Sequence, residues 1–420
     1  MPKLLSPVKK IFQSQLLAGS LVLLVGTTIA NFGNYLYHLL MGRMLGPADY
    51  GILASLISLA YLVSILSATL STSLIKWVTA FKAKNDYSSI YKLFRQLTLF
   101  FAGFSLLVLL IFILASGSIA AFLKLPTPKL VYLLGFWLPF NLLAFINEGI
   151  LRSFLRFSFL SFNAVLGVTL KLVFALSLVK MGFSVSGALM AIIIGSLIPY
   201  LISFYPLRFI WRYSDGQKKI NWSEFSSYSI PVLLAVLGMT SLYSTDIILV
   251  KHLFPALEAG LYGAMATMGK IVFFASSTVS AVMFPLISER FEKNKSYRHL
   301  LRQAFLLVGA ISLGITMIYF LFPKLMIRIL YGEAYLSVAP WLGIFAIFIC
   351  FYSLSSLLIN FYLSIKRTSL CWLPLIAAGL QAILIYFKAQ TLIQVILICL
   401  GVTALLFFSL LLFLRANEKR

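Results

Sequence analysis

Acidic side chains are scarce in this chain. Its 420 residues hold 11 Asp and Glu against 34 Lys and Arg, and charged residues of both signs make up only 11%. A soluble domain is about a quarter charged, so an ordinary globular surface is excluded. Long polar stretches are missing too, which leaves no place for a soluble domain. Cysteine is limited to Cys350, Cys371 and Cys399, an odd number without metal-like spacing, and no disulfide framework follows from it. The three histidines stand on separate segments and suggest no metal site. No Walker-type glycine loop and no GxSxG, HExxH or CxxC pattern occurs, so neither a built-in ATPase, a familiar hydrolase nor a cofactor is indicated.

What remains is apolar. Hydrophobic residues make up 61% of the chain, and the mean hydropathy is +1.01. Roughly 20 apolar residues cross a bilayer core as a helix, and a helix satisfies its own backbone where no water can. Twelve such segments are predicted, at 16–40, 52–74, 97–122, 130–151, 157–179, 185–205, 227–250, 259–284, 304–322, 339–363, 370–387 and 392–414. The narrowest seam is Lys388 to Thr391. The fold class expected is an all-α polytopic membrane protein of about 12 transmembrane helices. The basic, then apolar, start of the chain lacks a small-residue cleavage site before Asn31 and reads as an uncleaved first helix.

Net charge +23 invites a nucleic-acid reading, but its placement argues against one. Lys and Arg concentrate in alternate loops, among them Lys3 to Lys10, Lys76 to Arg95, Arg208 to Lys219, Arg290 to Arg302 and Arg415 to Arg420. The positive-inside rule puts these loops and both termini in the cytoplasm, across a cytoplasmic (inner) membrane. The surplus cations then face anionic headgroups of membrane lipids. The six tryptophans fall at or near expected span ends, where amphipathic rings prefer the interface.

The chain also repeats. Leu45-Gly46-Pro47-Ala48-Asp49-Tyr50-Gly51 follows the first span, and Phe254-Pro255-Ala256-Leu257-Glu258-Ala259-Gly260 follows the seventh. Tyr91 to Gln96 pairs with Arg298 to Gln303, and Arg156-Phe157-Ser158 with Arg367-Thr368-Ser369, at a nearly constant offset. The expected domains are a six-helix lobe at 1–205, a cytoplasmic linker at 206–226 and a second six-helix lobe at 227–420. An even helix count gives both copies one orientation, related by a pseudo-two-fold along the membrane normal.

Polar groups inside spans are costly and therefore informative. Thr27, Asn31, Asn34 and His38 share one face of the first helix. Asn141 and Glu148 share a face of the fourth, Asn163 and Lys171 of the fifth. Asp246, Lys270 and Asn360 lie in later spans. Each embedded charge would cost roughly 2.5–3.5 kcal/mol at mid-membrane. Three readings stand. The four charges Glu148, Lys171, Asp246 and Lys270 form static salt bridges, or they line a polar cavity in which lysines meet an anionic substrate and the acids balance them or bind a coupling cation, or the span ends lie elsewhere, Glu148 and Asp246 being near theirs. Arg152 and Arg156 serve either topology or phosphate recognition. His38 is either a proton switch or a satisfied polar group.

At Gly42-Arg43-Met44-Leu45-Gly46-Pro47-Ala48-Asp49-Tyr50-Gly51-Ile52-Leu53-Ala54, and again at Leu330-Tyr331-Gly332-Glu333-Ala334-Tyr335, the chain resembles the polysaccharide-transport branch of the multidrug/oligosaccharidyl-lipid/polysaccharide flippase superfamily, the oligosaccharide flippases of O-antigen and capsule type. The resemblance implies a MATE/flippase-like, V-shaped, two-lobed transporter with two six-helix bundles. It implies a substrate too: a polyprenyl-pyrophosphate-linked oligosaccharide, flipped from the cytoplasmic to the outer leaflet by alternating access. The family's cationic lumen would fall here on Lys171 and Lys270, helped by Arg152 and Arg156. Asn31, Asn34, His38, Asn141, Asn163 and Asn360 are the further substrate-binding candidates, and Asp246 and Glu148 the ion-coupling ones. The expected protein is a monomer and not an enzyme. Its rivals are a drug/cation antiporter of the same superfamily and a membrane enzyme of glycan assembly, whose catalytic loop would have to be 323–338.

Overall fold

The computed structural model describes residues 5–214 and 222–418. The basic residues Lys3, Lys218, Lys219, Lys419 and Arg420, and the middle of the expected linker, lie outside these described residues. Every regular element among them is helical: α1 Leu5–Ala83, α2 Tyr87–Leu114, α3 Ser116–Phe122, α4 Lys129–Ser153, α5 Phe157–Leu178, α6 Ser184–Ser203, α7 Trp222–Leu242, α8 Thr245–Leu253, α9 Ala256–Glu292, α10 Arg298–Leu321, α11 Pro323–Leu330, α12 Ala339–Ser364, α13 Leu373–Lys388 and α14 Leu392–Glu418. The narrow seam expected between the last two spans is the gap between α13 and α14.

Ten stretches are long and apolar enough to cross a bilayer, against twelve expected. Two of the ten account for the difference. Leu21–Ala83 runs 63 residues and Phe157–Ser203 runs 47, each at least twice what one crossing takes. α1 is broken at Gly46, with φ 72° and ψ 172°. Only glycine takes that conformation without strain, and the following Pro47 has no N–H to carry the helix on. The second stretch is broken at Gly182, φ 91°, inside the turn Val179–Phe183. Both breaks fall where spans were expected to end. Across the second break α5 and α6 fold back on one another. A Cβ on Gly167 would stand 2.8 Å from the Gly195 carbonyl oxygen, and one on Gly195 would stand 2.7 Å from that of Gly167. Small residues of this kind let membrane helices pack backbone to backbone.

Several loop expectations shorten. α9 continues through residues 285–292 instead of ending at 284, and the loop 75–96 shrinks to the turn between α1 and α2. The outer loop 323–338 is itself folded, into α11 and the 3-10 helix Glu333–Val338.

Two compact units form. The first holds 1–41, 66–121 and 125–226; the second holds 42–65, 122–124 and 227–420. Residues 42–65 therefore group with the C-terminal helices rather than with the first six spans. In the first unit, Phe101 lies edge-on to Phe145 at 4.8 Å, within a core that includes Leu93, Leu97, Ile146 and Ile150.

In the second unit the two motif stretches explain why 42–65 belong there. Gly51 and Gly260, equivalent positions of the repeat, lie so close that a Cβ on Gly51 would sit 2.7 Å from the Gly260 nitrogen. The Tyr50 hydroxyl hydrogen-bonds to Thr267 at 2.8 Å and to Tyr331 at 3.1 Å, and Tyr335 donates to the Gly42 carbonyl at 2.8 Å. Arg43 donates to the carbonyls of Leu330 at 3.1 Å, of Arg328 at 3.3 Å and of Ile329. These are the last carbonyls of α11, which have no partner within the helix. The stretch resembling the family's first motif thus caps and packs against the second.

A methyl group at Gly260 would collide with the Pro47 carbonyl. Gly260→Ala is expected to lower stability by about 1–3 kcal/mol, read as a lower melting temperature of the purified protein. Gly103→Ala, where nothing lies within 4 Å, is expected to leave it unchanged. Equal melting of the two variants would contradict the close approach.

Candidate functional site

The polar face of α1 has its setting fixed by the glycines beside it. Gly33 lets α1 approach α5 until a Cβ there would be 2.7 Å from Val168, and a Cβ on Gly26 would overlap Ser161. Thr27, Asn31 and Asn34, one helical step around, then meet the faces of three other helices. α4 brings Trp137, Asn141, Glu148 and Arg152 at helical spacing, α5 brings Asn163 and Lys171, and α6 brings Ser196, Tyr200 and Ser203. Together they line a cavity of about 500 Å³ inside the first unit.

Lys171 donates to Asn34 Oδ1, and its ammonium stands 4.5 Å from the centre of the Tyr37 ring. Tyr37 is itself held by donating its hydroxyl to the Ala188 carbonyl at 3.0 Å. Such a cation–aromatic contact contributes about 0.5–2 kcal/mol. No carboxylate neutralises this lysine among the described residues. Glu148 stands instead 3.9 Å from Arg152, one helical turn along α4. Asn163 is buried, and its Oδ1 has no hydrogen-bond partner. At 1.5 Å per residue, Asn163 lies about 12 Å along α5 from Lys171. The cavity is therefore long, lined with amides and hydroxyls, and carries two cations against one acid. Trp137 donates to Ser196 Oγ at 2.8 Å, and Asn147 donates to Ser203 Oγ at 2.7 Å behind the lining.

The second unit holds the other embedded charges. The Lys270 ammonium lies 5.0 Å from the Tyr61 ring centre and 5.1 Å from that of Tyr243. Asp246 is only 1% exposed. Its Oδ2 accepts from the Tyr262 hydroxyl at 2.7 Å, while Oδ1 has no hydrogen-bond partner. No ion pair within 4 Å joins Asp246 to Lys270. Asn360 donates to the Ser356 carbonyl at 2.9 Å and, with Tyr243 and Tyr352, lines a smaller cavity of about 170 Å³.

Of the residues expected at a substrate site, Asn31, Asn34, Asn141, Asn163, Lys171 and Arg152 share the first unit's cavity, and Glu148 lies with them. Lys270, Asp246 and Asn360 belong to the second unit. Arg156 is the exposed residue preceding α5 and does not line the cavity. His38 does not line it either; its ring lies edge-on to Tyr37 at 5.6 Å. The reading of static salt bridges among Glu148, Lys171, Asp246 and Lys270 finds no pair of these four within 4 Å; Glu148 pairs with Arg152 instead. Sequence reasoning passed over Tyr37 and Tyr61, which with Tyr243 receive the lysines. Trp137, expected at the membrane interface, is a lining residue. Its signal was present, because it stands four residues before Asn141 on the same helical face.

Comparisons with known proteins agree with this architecture. Residues 40–340 match the sequence model of a family described as polysaccharide biosynthesis protein. An uncharacterized membrane protein of Methanocaldococcus jannaschii is 24% identical over 271 residues, covering 61% of this chain and 63% of that protein. The chain thus spans less than two thirds of the length of this relative. An inward-facing multidrug resistance transporter of the MATE family and MOP superfamily superposes with a TM-score of 0.76, at 14% identity, over 94% of this chain and 99% of the other. The lipid II flippase MurJ, in an inward closed conformation, superposes with a TM-score of 0.72 at 14% identity, over 92% and 87%. The shared fold is that of these transporters.

Removing the single hydroxyl that meets Asp246 tests the polar core of the second unit. Tyr262→Phe leaves both carboxyl oxygens of a buried group without a side-chain donor, which costs about 1–3 kcal/mol. The expected result is a lowered melting temperature, restored when Asp246→Leu is added. A variant as stable as the parent would mean that the Tyr262–Asp246 bond does not support the fold.

Proposed function

Because this chain belongs to the polysaccharide biosynthesis protein family, we propose that it is a flippase that carries a polyprenyl-pyrophosphate-linked oligosaccharide from the cytoplasmic to the outer leaflet by alternating access. The observation that carries the reading is the cavity of the first unit, with Lys171 neutralised by no acid and Asn163 offering an unpartnered acceptor. An ammonium held by an amide and a tyrosine ring has no counter-charge of its own, so an anion would supply one. The amides of Asn31, Asn141 and Asn163 suit sugar hydroxyls, which both donate and accept. Aromatic faces at Trp137 and Tyr200 suit the apolar faces of pyranose rings. About 500 Å³ is within the usual size of a small-ligand pocket; it takes a phosphate and its first sugars rather than a long glycan.

Such a head group cannot cross hydrocarbon unaided. The polyprenyl tail needs no shelter and stays in lipid. Membrane embedding in the cytoplasmic membrane, with both termini inside, follows the alternation of basic loops. Coupling falls to Asp246, whose Oδ1 is free for a proton or a small cation. Glu148 is less suited, standing beside Arg152.

The drug/cation antiporter of the same superfamily is the second reading. Tyr61, Tyr243 and Tyr352 form an aromatic group of the type that receives organic cations, but Lys270 already occupies it. The enzyme reading has less support: within its candidate loop, 323–338, Tyr331 and Tyr335 are buried in the packing of the second unit.

Purified protein in vesicles, loaded with a fluorescent polyprenyl-pyrophosphate oligosaccharide, should expose inner-leaflet label to an impermeant quencher. Loss of a charge-assisted contact of about 1.5–3 kcal/mol predicts a rate about ten- to a hundredfold lower for Lys171→Ala. Lys171→Arg should retain part of it, and Lys270→Ala should also slow transport at unchanged melting temperature. A parental rate in Lys171→Ala would remove the cavity from the mechanism, and one in Lys270→Ala would remove the second unit's lysine. Asp246→Asn should transport at a rate that no longer responds to an imposed proton gradient or membrane potential; a normal response would move coupling elsewhere.

A further inference from the structure

A second cavity, of about 420 Å³, lies in the second unit and shares no lining residue with the Lys270 cluster. It forms where the start of α10, the ends of α12 and α14, and the turn after α12 converge. Arg298 and Arg302 stand one helical turn apart on α10, and Arg367 approaches from the turn. All three are exposed, and none makes an ion pair within 4 Å with a described side chain. No acidic residue with a described side chain lines the cavity. Its floor is apolar, with Leu301, Phe305, Leu358, Phe361 and Leu411. Phe305 is braced by stacking on Phe407 at 6.1 Å. The Tyr362 hydroxyl at the rim is already committed to the Leu410 carbonyl at 2.7 Å.

We infer that this groove holds an acidic phospholipid of the surrounding leaflet, its phosphate among the three guanidiniums and one acyl chain along the Phe305–Leu411 floor. The chemistry is specific in three ways. Arginine forks match phosphate oxygens two at a time. Three cations disfavour a zwitterionic head, whose ammonium would meet no carboxylate among the described side chains lining the groove. An apolar floor at the end of membrane helices continues into the hydrocarbon, with Leu306 61% exposed beside it. Basic pockets between membrane helices at the headgroup level are a recognised form of acidic-lipid site. Bound there, the lipid ties α10 to α12 and α14.

The full-length protein in nanodiscs of equal parts phosphatidylglycerol and phosphatidylcholine, extracted into mild detergent, gives the test by mass spectrometry of the retained lipid. The parent is expected to retain phosphatidylglycerol several-fold above the disc ratio. Each cation near a phosphate strengthens attachment about fivefold, so R298Q/R302Q/R367Q should fall to the disc ratio at an unchanged melting temperature. K324Q/R328Q, which removes a basic pair elsewhere, should keep the enrichment. The floor variant F305A/L411A should lose it as well. Enrichment that survives in the arginine variant overturns the site. Enrichment that survives in the floor variant overturns the lipid, because the guanidiniums would then bind a free anion and no chain.

Discussion

An ammonium group halfway along a membrane helix must be given partners by the protein, since lipid offers none. Lys171 receives an amide oxygen and an aromatic face; Lys270 receives two aromatic faces. Neither receives a carboxylate. The choice has a consequence that a salt bridge would not. A lysine paired with an acid is neutral as a unit and attracts nothing further. One held by neutral groups has no counter-charge of its own, and on the proposed function an arriving anion would supply it. The cavity in the first unit is organised around that condition, with the glycine contacts of α1 and α5 bringing Asn34 to the ammonium and the Ala188 carbonyl fixing Tyr37 beneath it.

Close approach of backbones is the other constraint. Without a hydrophobic force between helices in lipid, packing must come from short distances. Gly167 against Gly195 closes the α5–α6 pair, and Gly51 against Gly260 joins repeat-equivalent positions of the second unit. The motif residues make sense in these terms. Gly46 supplies a positive φ, Pro47 stops the first part of α1, and Tyr50, Tyr331 and Tyr335 bind the two motif stretches to each other through buried hydroxyls. None of them lines the first unit's cavity. They specify the scaffold, which is why a resemblance resting on them identifies a family without naming a substrate.

What the sequence made legible follows from the same physics. Lipid makes polar residues rare, so Asn31, Asn34, Asn141, Asn163 and Lys171 stand out against an apolar background, and helical spacing sorts them by face. Their convergence on one cavity needed only those two signals. The tyrosines were hidden because there are 20 of them and their rings are at home in a core; nothing in spacing says which ring receives a cation. Trp137 was misplaced because span ends and cavity linings both attract tryptophan. The grouping of 42–65 with the C-terminal helices was also out of reach. It depends on a backbone contact between positions far apart in sequence, and a repeat reveals equivalence without revealing contact.

Asp246 is the point where these arguments meet. A buried carboxyl with one oxygen bonded to Tyr262 and the other unbonded is incompletely satisfied. A purely structural acid in this position would be expected to carry a second donor, because an unpaired buried oxygen costs about 1–3 kcal/mol. Leaving that oxygen open makes the group sensitive to whatever binds it. A proton would neutralise the carboxyl and remove the penalty; a small cation would do so by coordination. Either event changes the local charge beside the tyrosine group that holds Lys270. The second unit thus holds an acid with an unbonded oxygen and a cation held by neutral rings, with no ion pair within 4 Å between them; on the proposed function, ion binding at the acid would alter the field at the lysine.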